Sequence, residues 1–161
     1  MKPIQLFFLV FLAFTISCQE KTEISDPVQN DLPANQISSP LTCDVVIKPN
    51  PDDPWAVECL KDLKREEFVD AIFNGVYNKQ ITAYDIFEGK KLSVGAIKKM
   101  EENGEIDRDK IGKFQFVEEW YFDKESLTMT KKVKEIRLGA EAFDDEGYLR
   151  GYQPIFNVVL N

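Results

Sequence analysis

The last third of the chain sets the strongest constraint on its fold. Phe114 to Phe122 is a run of aromatic and β-branched residues, closed by the turn-forming Asp123-Lys124-Glu125-Ser126. Leu127 to Phe143 is a second, longer strand candidate; Asp144-Asp145-Glu146-Gly147 is a second turn, and Tyr148 to Leu160 is a third strand. Strands joined by turns this short pair as antiparallel neighbours, because a parallel pair needs a crossover of a dozen residues or more. Within the long strand the apolar phase shifts between Val133 and Ile136, which predicts a β-bulge or a break there.

A sheet with one apolar face needs a layer to cover it. Lys64 to Asn78 carries Phe68, Val69, Ile72, Phe73, Val76 and Tyr77 on one helical face, with Gly75 lowering the propensity without overturning the pattern. Ile81-Thr82-Ala83-Tyr84 reads as a short extended segment. Ser93 caps a second helix that runs to about Asn103, with Val94, Ile97 and Met100 at helical spacing and Gly104 ending it. The expectation is an α+β domain over residues 55–161, in which two helices precede a three-stranded antiparallel β-meander. That length supports one core.

The preceding stretch has a different character. Six of the eight prolines (Pro27, Pro33, Pro40, Pro49, Pro51 and Pro54) lie between residues 19 and 54, among Asn, Asp, Ser and Gln. So little apolar surface cannot offset the entropy of ordering, and residues 18–54 read as a disordered tether. Val45-Val46-Ile47 is apolar enough to dock as an edge strand, which would start the domain earlier. Residues 1–17 have the pattern of a secretory leader: Lys2, an apolar run from Ile4 to Ile16, and a small residue before Cys18. The run falls short of the roughly 20 apolar residues a spanning helix needs. Cys18 at its end resembles the lipobox cysteine of bacterial lipoproteins, although Thr15 stands where that motif usually carries a large aliphatic residue. The resemblance implies cleavage before Cys18 and several acyl chains on it, enough for stable anchoring. Gln19 and Glu20 follow, with no Asp directly after the cysteine, so the outer membrane is the expected address, its periplasmic face ahead of the cell surface.

Charge and composition remove several functions. With 20 basic against 28 acidic residues the net charge is −8, and Lys2 is the only charge ahead of Cys18. That sign argues against nucleic acid as a partner. The chain has no histidine, so neither a Ser-His-Asp nor a Cys-His arrangement can form, and no catalytic residue stands out. Two cysteines beyond Cys18 without histidine do not make a zinc site, and no cofactor motif or metal site is expected. In an oxidising envelope Cys43 and Cys59 form a disulfide candidate, with two free thiols as the alternative.

Three segments together resemble the gliding-motility protein GldN, called PorN in the type IX protein secretion system. The first is the apolar helix leading into Gln80-Ile81-Thr82-Ala83-Tyr84-Asp85. The second is Val117-Glu118-Glu119-Trp120-Tyr121-Phe122-Asp123-Lys124, followed by the strand Lys131 to Arg137. The third is Arg150-Gly151-Tyr152-Gln153-Pro154-Ile155-Phe156. They follow the family's order across most of residues 64–160. The resemblance implies a non-enzymatic envelope protein that assembles with a lipoprotein partner in secretion and gliding. This chain differs in carrying its own lipidation site and in having a single helix-to-meander unit. An anchored accessory fits it as well as a ring component does.

Tyr121, Asp123, Arg150 and Tyr152 are the partner-binding candidates. Trp120 and Phe122 must face opposite to Tyr121 along a strand; the simplest arrangement buries the first two in the core and rests Tyr121 on the surface, while the functional reading makes the exposed aromatic an interface anchor. Asp123 most simply opens its turn, and Gly151 would let a partner backbone approach Arg150 and Tyr152. The Asp144–Gly147 cluster lacks the alternating ligand spacing of a calcium loop. The expected function is docking to envelope proteins; the rival is a lipid-anchored module for a small ligand or glycan. An exposed aromatic patch with a free strand edge favours docking, and a closed pocket with convergent polar groups favours a ligand.

Overall fold

The computed structural model describes residues 33–160; Cys18 and the leader lie outside them. Along the chain come β1 (Leu41–Val46), α1 (Pro54–Leu60), α2 (Arg65–Tyr77), β2 (Thr82–Tyr84) and α3 (Val94–Glu102). A 3-10 turn (Arg108–Lys110) then leads into β3 (Ile111–Asp123), β4 (Thr128–Phe143) and β5 (Leu149–Val159). The last three strands form the predicted meander, held by side-chain turns at each end. Asp123 Oδ1 accepts from the Glu125 and Ser126 amides at 2.8 and 3.0 Å, and Asp144 Oδ1 from those of Glu146 and Tyr148 at 3.1 and 2.8 Å.

The meander is not the whole sheet. β1 adds antiparallel to β3 and β2 to β5, giving a five-stranded antiparallel sheet in the order β1-β3-β4-β5-β2. Together with three α-helices, this corrects the expectation of two helices and three strands. Each missed element has a physical reason. β1 takes in Val45 and Val46, expected as an edge strand, but it begins earlier, at Leu41, inside the stretch 18–54 read as a tether; prolines flank it at 40 and 49, and it buries little side chain. α1 starts at Pro54, which is at the first helical position rather than the end of a linker. Asp53 caps it by accepting from the Trp55 and Ala56 amides at 3.0 and 3.1 Å. β2 lies within the segment 81–84 read as extended, but three residues carry no signal that they join the sheet by pairing with β5.

α2 buries Val69, Ile72, Phe73 and Val76, and α3, capped by Ser93 through the Ala96 amide at 3.1 Å, buries Ile97. Gly75 has a reason to be in α2: a Cβ there would stand 3.1 Å from the Ile81 side chain, so the missing methyl lets Ile81 pack against the helix. The helices meet Phe114, Ile136, Leu138, Phe156, Val158 and Ala83. Phe73 packs edge-on to Phe156 with centroids 5.4 Å apart. By strand alternation and register these sheet residues share one face. The other face carries Lys113, Gln115, Arg137 and Tyr152. Between β3 and β4 the register slips where Val117 pairs Glu135 and Glu118 pairs Val133, leaving Lys134 as the extra residue. This bulge falls where the apolar phase of the sequence shifts.

Candidate docking surfaces

β3 is as long in residues as α2, thirteen each. A strand rises about 3.3 Å per residue and a helix 1.5 Å, so the strand outruns the helix laid against it. The outrunning part, past the Lys134 bulge, is a hairpin arm: Glu118–Asp123 of β3 paired with Thr128–Val133 of β4. Trp120 and Phe122 stand on the arm's core-side face but lie outside the core cluster, which ends at Phe116 and Val133. That corrects the expectation that they fill the core. Alternation told which face they share, but it could not tell how far the helical layer reaches.

The arm has its own local order. Trp120 Nε1 donates to Glu118 at 2.8 Å, the Lys131 ammonium lies 4.2 Å from the centre of the Trp120 ring, and the same ammonium is 3.8 Å from Glu118. The Cys43 thiol donates to Glu118 at 3.7 Å, so this buried carboxylate is surrounded by donors. On the opposite face the Tyr121 hydroxyl donates to Glu119 at 2.7 Å; that bond and its charge raise the Tyr121 pKa. Asp123 is lowered by the Ser126 and Glu125 amides it holds in the turn. Residues 35–37 extend the sheet along the arm: the Ile37 amide donates to the Trp120 carbonyl at 3.0 Å and the Phe122 amide to Asn35 at 2.8 Å. Ile37, Leu127 and Met129 remain 53%, 75% and 45% exposed.

β1 supplies a second surface. The Ile47 amide donates to Gly112 at 2.8 Å, so alternation of the ladder points the backbone groups of Cys43 and Val45 toward β3 and those of Thr42, Asp44 and Val46 outward. Leu41, Val45 and Val46 are exposed beside them, and no proline, lysine or bulge interrupts β1. Natural edges usually carry such protection. The Lys113 ammonium and the Gln115 amide, the latter at 2.7 Å, bind the Asp44 carboxylate and hold its pKa below the ordinary value. Both remaining cysteines are free thiols, Cys43 half-buried on β1 and Cys59 exposed on α1; the candidate disulfide is not formed.

The helix-free face does not gather the nominated residues. Tyr152 is seated over Gly112 and Gly139, where a Cβ would come within 2.9 and 3.2 Å of it, and burial raises its pKa. Arg150 is exposed and only 4.0 Å from Asp144 at the far hairpin. Tyr121 and Asp123 thus share the arm, while Tyr152 and Arg150 sit elsewhere. A shallow depression of about 240 Å³ lies beside Tyr152, lined by Lys113, Gln115, Arg137 and Pro154. Two of its polar groups bind each other, Arg137 donating to Gln115 at 2.9 Å, and Arg137 also donates at 2.6 Å to Glu135 beside it. Among the described residues no group of three His, Cys, Asp or Glu side chains could hold a metal.

The surface residues missed from sequence are Ile37, Met129, Lys131 and the β1 edge. The phase of Met129, Lys131 and Val133 across the Asp123 turn carried a readable signal for two of them, since it sets them opposite Phe122, Trp120 and Glu118. Compared with known proteins, the chain matches no protein-family model and no curated protein.

Proposed function

We propose that this protein is a non-enzymatic, exported lipoprotein, held to the outer membrane by lipid on Cys18, whose domain docks on envelope proteins. The GldN-like segments direct the choice of partner to components of the type IX secretion and gliding apparatus. The observation that carries the docking reading is the β1 edge. An extended segment of a partner can take the outward backbone groups of Thr42, Asp44 and Val46 and extend the sheet by one strand. The ligand-binding alternative has less support, because the depressions beside Tyr152 and beside Tyr84 are both open and Arg137, which lines both, is already paired with Gln115 and Glu135.

A photo-crosslinking side chain at Thr42, activated in living cells, tests this. Secretion or gliding components should be captured from Thr42 and not from a control position at Tyr148, on the far hairpin. Equal capture at both positions, or none at Thr42, would refute docking at this edge.

A further inference from the structure

We infer that the hairpin arm is the membrane-facing end of the domain, and that its Trp120 face seats in the lipid head-group region. The inference rests on the lipoprotein reading for its orientation. The described chain begins beside the tip of this arm. Residues 33–37 lead straight into the bonds with Phe122 and Trp120. Cys18 precedes Pro33 by fifteen residues, which span at most about 50 Å when fully extended. The described chain therefore joins the domain at the arm's end of the sheet, opposite the far hairpin at Asp144.

The chemistry of the arm matches an interface. Trp120, Phe122, Met129 and Ile37 share one face, and Leu127 projects at the tip. Tryptophan with flanking aliphatic and lysine side chains is the composition found where protein meets head groups. The acidic groups of the arm are largely engaged within it: Glu118 by Trp120 and Lys131, Glu119 by Tyr121, and Asp123 by the turn amides. Lys124, Lys131 and Lys132 stand against Glu118, Glu119, Asp123 and Glu125 along the arm, so the apolar face rather than net charge fits the head-group region.

The chain has two tryptophans, so each can be read alone. The full chain, purified from membranes, is reconstituted into vesicles of phosphatidylethanolamine and phosphatidylglycerol whose acyl chains are brominated. Trp55→Phe leaves Trp120 as the reporter; Trp120→Phe leaves Trp55, which is 76% exposed on α1. Trp120 emission should be quenched more strongly than Trp55 emission and shifted to shorter wavelength. Leu127→Glu combined with Met129→Glu, both on exposed positions, should reverse this while the far-ultraviolet spectrum stays the same. Trp120 quenched no more than Trp55 would overturn the inference. The mass of the purified chain reads lipidation separately. A lipidated chain with unquenched Trp120 keeps the anchor and loses the membrane seat. Quenching without lipid keeps the seat and removes the anchor.

Discussion

Arg108, in the 3-10 turn that leads into β3, ties α2 to α3, and replacing it by alanine should cost a measurable share of the stability. Its Nε donates to Glu101 of α3 at 2.7 Å and its Nη1 to Asp70 of α2 at 2.7 Å. The guanidinium carbon lies 4.2 Å from the centre of the buried Phe73 ring. Charge-assisted bonds contribute roughly 1.5–3 kcal/mol each when shielded. The Arg108 side chain is 30% exposed, however, and Asp70 is 55% exposed, so solvent screening brings that pair down to roughly 0.5 kcal/mol. The Glu101 bond, at 22% exposure of its carboxylate, retains about 1 kcal/mol. Stacking on Phe73 adds roughly 0.5–1 kcal/mol. Arg108→Ala should therefore destabilise by about 2 kcal/mol, lowering Tm by roughly 6–8 °C for a domain of this size. Arg108→Lys keeps the charge but not the fork that reaches both helices, and should lose about half as much. Thermal melting followed by circular dichroism, with urea titration as a second measure, reads both variants. A Tm for Arg108→Ala within about 1 °C of the parent would mean that solvent already screens these contacts. The pinning role would then be wrong.

Other consequences can be checked with equal economy. Gly112→Ala would place a methyl 2.9 Å from the Tyr152 ring and the Glu141 side chain, and should destabilise by about 1–3 kcal/mol; an unchanged urea midpoint would show that Tyr152 moves freely. Glu119 raises the Tyr121 pKa, so the hydroxyl bond contributes stability below the ordinary tyrosine pKa of about 10 and loses it as pH rises through the folded value. In ultraviolet titration two tyrosines, Tyr121 and Tyr152, should ionise late, and Glu119→Gln should move one of them back toward the ordinary range. The Asp44 pKa is lowered by Lys113 first and Gln115 second. Its contribution is present above the unfolded pKa of about 3.9 and is lost as pH falls through the folded value. Amide exchange along β1 should accelerate in that acid window, and Asp44→Asn should abolish the acceleration. In the folded protein Cys59 should react with a thiol reagent quickly and Cys43 slowly; failure of both to react until a reductant is added would show a bridge instead.

The sheet's centre was legible because β3, β4 and β5 alternate strongly and are separated by side-chain-capped turns, features set by residues close together in sequence. α3 was legible for the same reason: Ser93 and Gly104 mark its ends. β1 was legible only at Val45 and Val46, because an edge strand with one covered face has a weak apolar signal and this one has two prolines nearby. Pro54 misled because proline ends a linker and starts a helix with the same letter. At the candidate surfaces, Tyr121 and Asp123 were correctly placed together by adjacency. Arg150 and Tyr152 were grouped with them only by residue type, and no local rule could report that they lie at the far hairpin and over Gly139. Whether Trp120 is core or surface depends on where a helix fifty residues earlier stops covering the sheet, and short-range pattern does not contain that information.

The way the chain joins the sheet also has a mechanical consequence. It runs in beside the arm's tip, pairs at residues 35–37, and continues as β1 antiparallel to β3. Tension from an anchored N-terminus, directed outward along the arm, would pull β1 along its own length. The hydrogen bonds from Leu41 to Val46 would then share the load in shear, whereas a pull at right angles would open them one after another. Under a pull in that direction β1 would be held firmly while half of its backbone groups still face outward.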